Sequence, residues 1–178
     1  MAPADTLHFF LDSDPLPEAR EVPTPILYEA LDSALFYQMG YLQDSAATQA
    51  QAQGLFPLDA EHDAALLALK EGWYAFQYLL IFDKTTNQFI HVTPVCEFYG
   101  GDGGQIRSES WLFFEDPPKL LTRYSERWLQ MGTAEDPDEV QENFHESVRL
   151  QEWLGLEWRE VPVVDSSRWI TDFPVAWW

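Results

Sequence analysis

The sequence predicts an α+β domain, and three observations lead there. Three aromatic-rich runs, at 73–82, 89–99 and 106–114, are separated by a polar turn at 83–87 and a glycine loop at 100–104. Stretches on either side repeat apolar residues at three- and four-residue intervals, the period of an amphipathic helix. The strands are clustered instead of alternating with the helices, which favours α+β over a parallel α/β sheet. The expected architecture is an antiparallel β-meander at about 73–114 with a further strand at 158–164. Helices at about 25–43, 60–71, 118–131 and 137–154 pack on it. A length of 178 residues suits a single domain. Residues 1–24 read as a proline- and acid-rich arm, and 165–178 as an aromatic tail.

The arm carries Pro3, Pro15, Pro17 and Pro23, which forbid a long helix. Its one apolar patch, 7–11, is suited to a short strand or to docking on the core. Thr24 followed by Pro25 is an N-cap and N1 pair. It opens a first helix whose stripe includes Leu27, Leu31, Leu35 and Met39. Residues 44–54 have good helix propensity but little to bury, and read as a surface helix or connector. Asp59 caps a second helix that ends at Gly72. In 73–82 both alternating faces are apolar, as in a strand covered on both sides. Pro94 interrupts the second strand, making it an edge or a bulge there. Pro118 opens a third helix with Lys119, Arg123 and Arg127 on one face, and Pro137 a fourth.

Composition narrows the function. There are 30 acids against 10 bases, a formal charge of −20. Such a chain opposes phosphate-neutralising grooves, so nucleic acid is not an expected partner. Anionic membrane surfaces are disfavoured for the same reason. No apolar run approaches the roughly 20 residues a membrane helix needs. The N-terminus lacks the basic and apolar regions of a secretory signal. The single cysteine, Cys96, excludes an intrachain disulfide and a cysteine zinc site, and fits a reducing, cytoplasmic setting.

Motifs for catalysis are weak. His91 lies five positions from Cys96, which puts the two on opposite faces of a regular strand. Only a bulge at Pro94 would bring them to one face, and a buried core thiol is the simpler reading. Glu142 and His145 have the spacing of a carboxylate–histidine metal motif, but there is no second copy to complete a site. The GGDGG loop lacks the Lys-Ser/Thr and the following helix of a phosphate loop. GxSxG and SxxK are absent. No catalytic residue, metal or cofactor is therefore expected.

The acids are unevenly placed. Residues 1–69 hold 11 acids and one base, and residues 133–160 hold nine acids and two bases. Asp102, Glu135, Asp138, Glu139, Glu142 and Glu146 are the expected partner-contacting residues, most of them on the helix at 137–154. The chain reads as a non-catalytic inhibitor or immunity protein that covers the active site of a basic toxin or effector. It would act as a monomer or homodimer. One alternative is a homodimeric secretion chaperone that holds a client segment. The other is a hydrolase using carboxylates or His91 in a pocket at the sheet.

Overall fold

The computed structural model describes residues 6–11, 19–39, 48–101, 103–131 and 140–175. Its elements, in order, begin with strands β1 (Thr6–Phe9) and β2 (Arg20–Glu21) and the short helices α1 (Thr24–Ala30) and α2 (Ser33–Gln38). The strands β3 (Gln49–Pro57), β4 (His62–Glu71), β5 (Tyr74–Asp83), β6 (Gln88–Gly101) and β7 (Gly104–Phe113) follow. Last come β8 (Lys119–Met131), β9 (Val140–Trp153), β10 (Trp158–Val161) and helix α3 (Ser166–Asp172).

The α+β expectation is overturned. Among the described residues strand accounts for 61% and helix for 14%, in three short pieces, so the fold is largely antiparallel β. Neighbouring strands run in sequence order from β2 to β10, with β1 added beside β7. The meander expected at 73–114 is present as β5, β6 and β7, and a strand does begin at Trp158. The helices expected at 60–71, 118–131 and 137–154 are β4, β8 and β9. The helix expected at 25–43 is two short ones. Leu31 is extended at ψ 133°, and Asp32 then caps α2 by accepting from the Leu35 N–H at 2.8 Å. The connector at 44–54 contributes to β3, and the tail contains α3.

The misread helices share a cause. A four-residue interval returns a side chain to the same face of a strand as well as of a helix. Lys119, Arg123 and Arg127 are at that interval, as are Val140, Phe144 and Val148. In β4 the Ala-Leu run has high helix propensity, but its two faces feed two different cores, and tertiary packing overrides the local preference. Ala64 enters one apolar cluster while Leu67 and Leu69 enter another.

The sheet folds over because one strand pair stops short. β6 and β7 pair only between Glu97–Gly101 and Gly104–Ser108. Beyond that point β1 takes the vacated edge of β7, with Phe9 opposite Ser110 and Thr6 opposite Phe113. The two halves, β2–β6 and β1 with β7–β10, then share one apolar core. Ala64, Leu79, Ile81 and Val95 of the first half meet Leu112, Leu120, Trp153 and Trp158 of the second. The helices cover further faces. Leu27, Leu31, Leu35 and Met39 pack on Leu67, Phe76 and Tyr78, and the Tyr78 hydroxyl donates to the Met39 carbonyl at 2.5 Å.

On the other half, α3 lays Trp169 and Phe173 over Trp111, Phe113 and Leu121. Arg123 pins it there. Its fully buried guanidinium donates to the carbonyls of Ile170 and Phe173, each at 2.8 Å, and to Glu146 at 2.8 Å. A cation at a helix C-terminus is favourable because the last carbonyls have no partner within the helix.

Candidate functional site

The folded-over sheet is closed at one end and open at the other. At the closed end, Asp59 in the turn before β4 accepts from the backbone N–H groups of Glu61 and His62, each at 2.8 Å. The helix at 60–71 that Asp59 is expected to cap is β4, and Asp59 instead closes the turn that enters the strand. The same carboxylate holds His62 Nδ1 at 2.9 Å and accepts from Trp153 Nε1 at 3.0 Å. That last bond ties the two halves together across 94 residues of sequence. Burial opposes ionisation of Asp59, but the bonds from His62 and the backbone prevail and lower its pKa.

At the open end lies a groove of about 930 Å³. Strand register builds its floor. One row runs Gln51, Ala68 and Gln77 across β3, β4 and β5 and ends on the buried Cys96 of β6, outside the groove. The next runs Gln49, Lys70, Ala75, Phe98 and Arg107, and reaches β7. His8, Phe9, Phe10 and Leu11 form the wall contributed by β1 and the residues after it. The rim is apolar and open to solvent, with Trp73 at 81% exposure and Leu55 at 71%. Exposed large apolar groups gathered at one place mark interaction sites more often than chance placement does.

Two polar arrangements border this groove, reaching it through His8 and Arg107 in one case and through Gln53 and Gln77 in the other. Arg107 and Glu109 are buried on one face of β7 and form an ion pair at 3.0 Å. The other Glu109 oxygen holds His8 Nε2 at 2.9 Å, and the His8 ring stacks on Trp111 at 4.5 Å. A carboxylate-oriented histidine is an arrangement that general bases use. Here it orders β1 against β7. The second arrangement is an amide pair. Gln77 Nε2 donates to Gln53 Oε1 at 2.9 Å, while Gln77 Oε1 has no hydrogen-bond partner among the described residues. Gln77 is only 5% exposed, so this acceptor has lost water as well.

None of His8, Gln53, Gln77, Arg107 and Glu109 is among the site residues expected from sequence. Arg107 and Glu109 were findable as a buried-type pair at i, i+2 on one strand face. The glutamines at 49, 51 and 53 alternate as a strand face would, but become visible only when 44–54 is read as a strand.

The sequence candidates fall elsewhere. Glu142 and Glu146 share a face of β9, and both are held by bases of β8. Glu142 pairs with Arg127, and Glu146 with Arg123. Asp102, Glu135, Asp138 and Glu139 lie outside the described residues. A bulge at Val95 does bring His91 and Cys96 to one face, since their partners on β5 are Ile81 and Gln77. Four residues of strand still separate them, about 13 Å.

Neither group of that pair is poised for chemistry. The Cys96 thiol donates to the Ser108 carbonyl at 2.8 Å, and burial, reinforced by the Glu109 charge, pushes its pKa up. His91 is half-buried against Trp153, and burial lowers its pKa against the opposing charge of Glu157. Glu97 pairs with Phe76 and so projects from the opposite face to His91. Burial raises its pKa, against the charge of Arg149.

Among the described residues no group of three or more His, Cys, Asp or Glu could hold a metal ion, and no helix is long and apolar enough to cross a membrane. No protein-family model matches the chain, and no curated protein or solved structure matches it.

Proposed function

We propose that this chain is a non-catalytic binding protein that neutralises a basic protein partner by covering it, in the manner of an inhibitor or immunity protein. One observation carries the reading: burial sorts the charges by sign. Arg107 and Arg123 are withdrawn into the interior, whereas Glu109 is the only buried acid among the described residues. Among the described residues this withdraws two bases against one acid and leaves the remaining side chains one charge more acidic. Glu21, Glu29, Glu61, Glu126, Glu157 and Glu160 form no ion pair among the described residues. Such a surface accelerates encounter with a basic protein, and the acceleration is screened by salt.

On this reading Glu142 contacts the partner together with the other acids at 135–146 and Asp102. The exposed Arg127–Glu142 pair is worth little on its own, so a partner cation can compete for it. Glu146 differs because it holds the buried Arg123, and it is best left intact in any test. The partner is obtained by capture on the full chain from a lysate of its source at low salt, followed by association kinetics on the purified pair. The reading requires a basic partner whose association rate falls by about tenfold or more as salt rises into the several-hundred-millimolar range. Glu139→Lys with Glu142→Lys should slow association and flatten that salt dependence without changing the melting temperature. An association rate unmoved by both salt and charge reversal would sink it.

A further inference from the structure

We propose that the groove between β1 and β3–β7 receives an extended, uncharged, apolar polypeptide segment of about six residues. The inference deepens the binding-protein reading, since that segment would belong to the partner. Three properties of the groove select the occupant.

The first is charge. None of the described residues lining the groove is Asp or Glu, in a chain with 30 acids. Its charged lining residues are Lys70 and Arg107, and Arg107 is already neutralised by Glu109. A cationic segment gains nothing here, and a carboxylate finds only the exposed Lys70. The acidic outer surface steers the partner, and the groove takes an uncharged part of it.

The second is the leftover amide end. Gln77 is buried, and one end of its amide is spoken for by Gln53. Turning both amides over merely exchanges which end is left. A peptide group carries an N–H and a carbonyl and would satisfy either case once the amide, whose unpartnered atom is covered as it stands, turns toward it. Gln49 and Gln51 extend the same amide face along β3.

The third is size and texture. The floor crosses five strands from Gln49 to Arg107, about 19 Å at the usual strand spacing, which six extended residues span at ~3.3 Å each. Leu66 and Ala68 of β4 lie between the amides of β3 and Gln77 of β5, Phe98 lies beyond them on β6, and Trp73 and Leu55 stand at the rim. These suit apolar side chains, while main-chain groups meet the glutamines. A saccharide would bring hydroxyls that Leu66, Ala68 and Phe98 leave unpaired.

The test needs no partner. The full chain is presented with capped, uncharged hexapeptides of alternating Val, Phe and Thr, with the same peptides carrying Lys at each end, and with neutral oligosaccharides. Binding is read from tryptophan fluorescence and by titration. Gly54→Leu is the blocking variant. Gly54 lines the groove, and a Cβ built on it meets nothing within 4 Å, so the side chain fills space without displacing the fold. Gln77→Met removes the amide at nearly constant shape.

The proposal expects the uncharged hexapeptides to bind. Affinity should fall more than about tenfold in Gly54→Leu and roughly three- to tenfold in Gln77→Met, the size of one lost hydrogen bond. No peptide binding, undiminished binding by Gly54→Leu, or preference for the lysine peptides or the saccharides would overturn it. So would a concentration-dependent homodimer that Gly54→Leu abolishes, because the occupant would then be a second copy. If the peptides fail while a basic partner is still captured, the groove proposal falls and the inhibitor reading stands. If the peptides bind and no basic partner exists, the reverse holds.

Discussion

The two ends of the folded-over sheet share strands β4 and β6 but differ in how much of their apolar surface they cover. At the Trp153 end, one carboxylate serves two backbone N–H groups, a histidine and an indole, and the rings of His62, His91 and Trp158 close around that indole, with only the buried Trp158 Nε1 in this ring cluster lacking a hydrogen-bond partner among the described residues. At the Gln77 end, a buried amide is half satisfied among the described residues, and Trp73 and Leu55 stand in solvent. A satisfied polar network stabilises and specifies a core, whereas an unsatisfied one costs stability until something supplies the partner. The first end, with its carboxylate network and packed rings, is therefore the clasp of the fold, and the second is the end we propose for binding.

This contrast can be broken by substitution, and the largest effect belongs to the clasp. Trp153→Ala removes a buried ring that touches both halves of the sheet. It should cost about 3–5 kcal/mol, read as a shifted urea midpoint. Arg123→Ala should cost on the order of 3 kcal/mol, because it strips α3 of its anchor and leaves Glu146 without its cation. Near-ultraviolet circular dichroism should report loosened packing of Trp169 on Trp111.

Asp59→Asn should cost about 1–2 kcal/mol at neutral pH, from weakened bonds to His62 and Trp153. The Asp59 pKa is lowered in the fold, so its contribution is fully present above the ordinary carboxylate value. It is lost as pH falls from there through the lower folded value. Wild type should therefore lose its advantage over Asp59→Asn in acid, and melts at pH 7 and pH 3 measure this. An advantage that persisted at low pH would remove Asp59 from the clasp.

Glu97→Gln should act with the opposite sign. Its pKa is raised by burial, so its ionised form is a burden at neutral pH. That burden is absent below the ordinary glutamate value and grows as pH rises through the folded one. The substitution should leave stability unchanged or raise it by up to about 1 kcal/mol at pH 7, and melting temperatures across pH decide it.

Some of this was legible in the sequence. The meander was, because its two turns are marked by polar and glycine residues and its strands are aromatic and apolar on both faces. Of the helix expected at 25–43 the start was nearly legible, although Pro23 and not Thr24 is the N-cap, whereas the expectation of one continuous helix contained neither the break at Leu31 nor the cap at Asp32. The strands β4, β8 and β9 were not, because a spacing of four residues is common to the helical and the extended period and Ala-Leu runs lean towards helix. That error moved the candidate site as well. Read as a helix, 137–154 shows an acidic face with no neighbour. Read as a strand, it lies beside β8, whose Arg123 and Arg127 hold Glu146 and Glu142. The groove was hidden for a further reason. It depends on β1 taking over the β7 edge that β6 leaves, a contact across about a hundred residues that no local pattern announces.

The most direct test of the contrast is urea unfolding of a triple variant at the open end, Gly54→Leu with Trp73→Ala and Gln77→Met, beside Trp153→Ala at the closed end. The triple variant should unfold within about 1 kcal/mol of wild type, since exposed and groove-lining changes that remove no satisfied network are small, and Trp153→Ala should fall several-fold further. A triple variant as destabilised as Trp153→Ala would show that the open end holds the fold together and would contradict its assignment as a binding site.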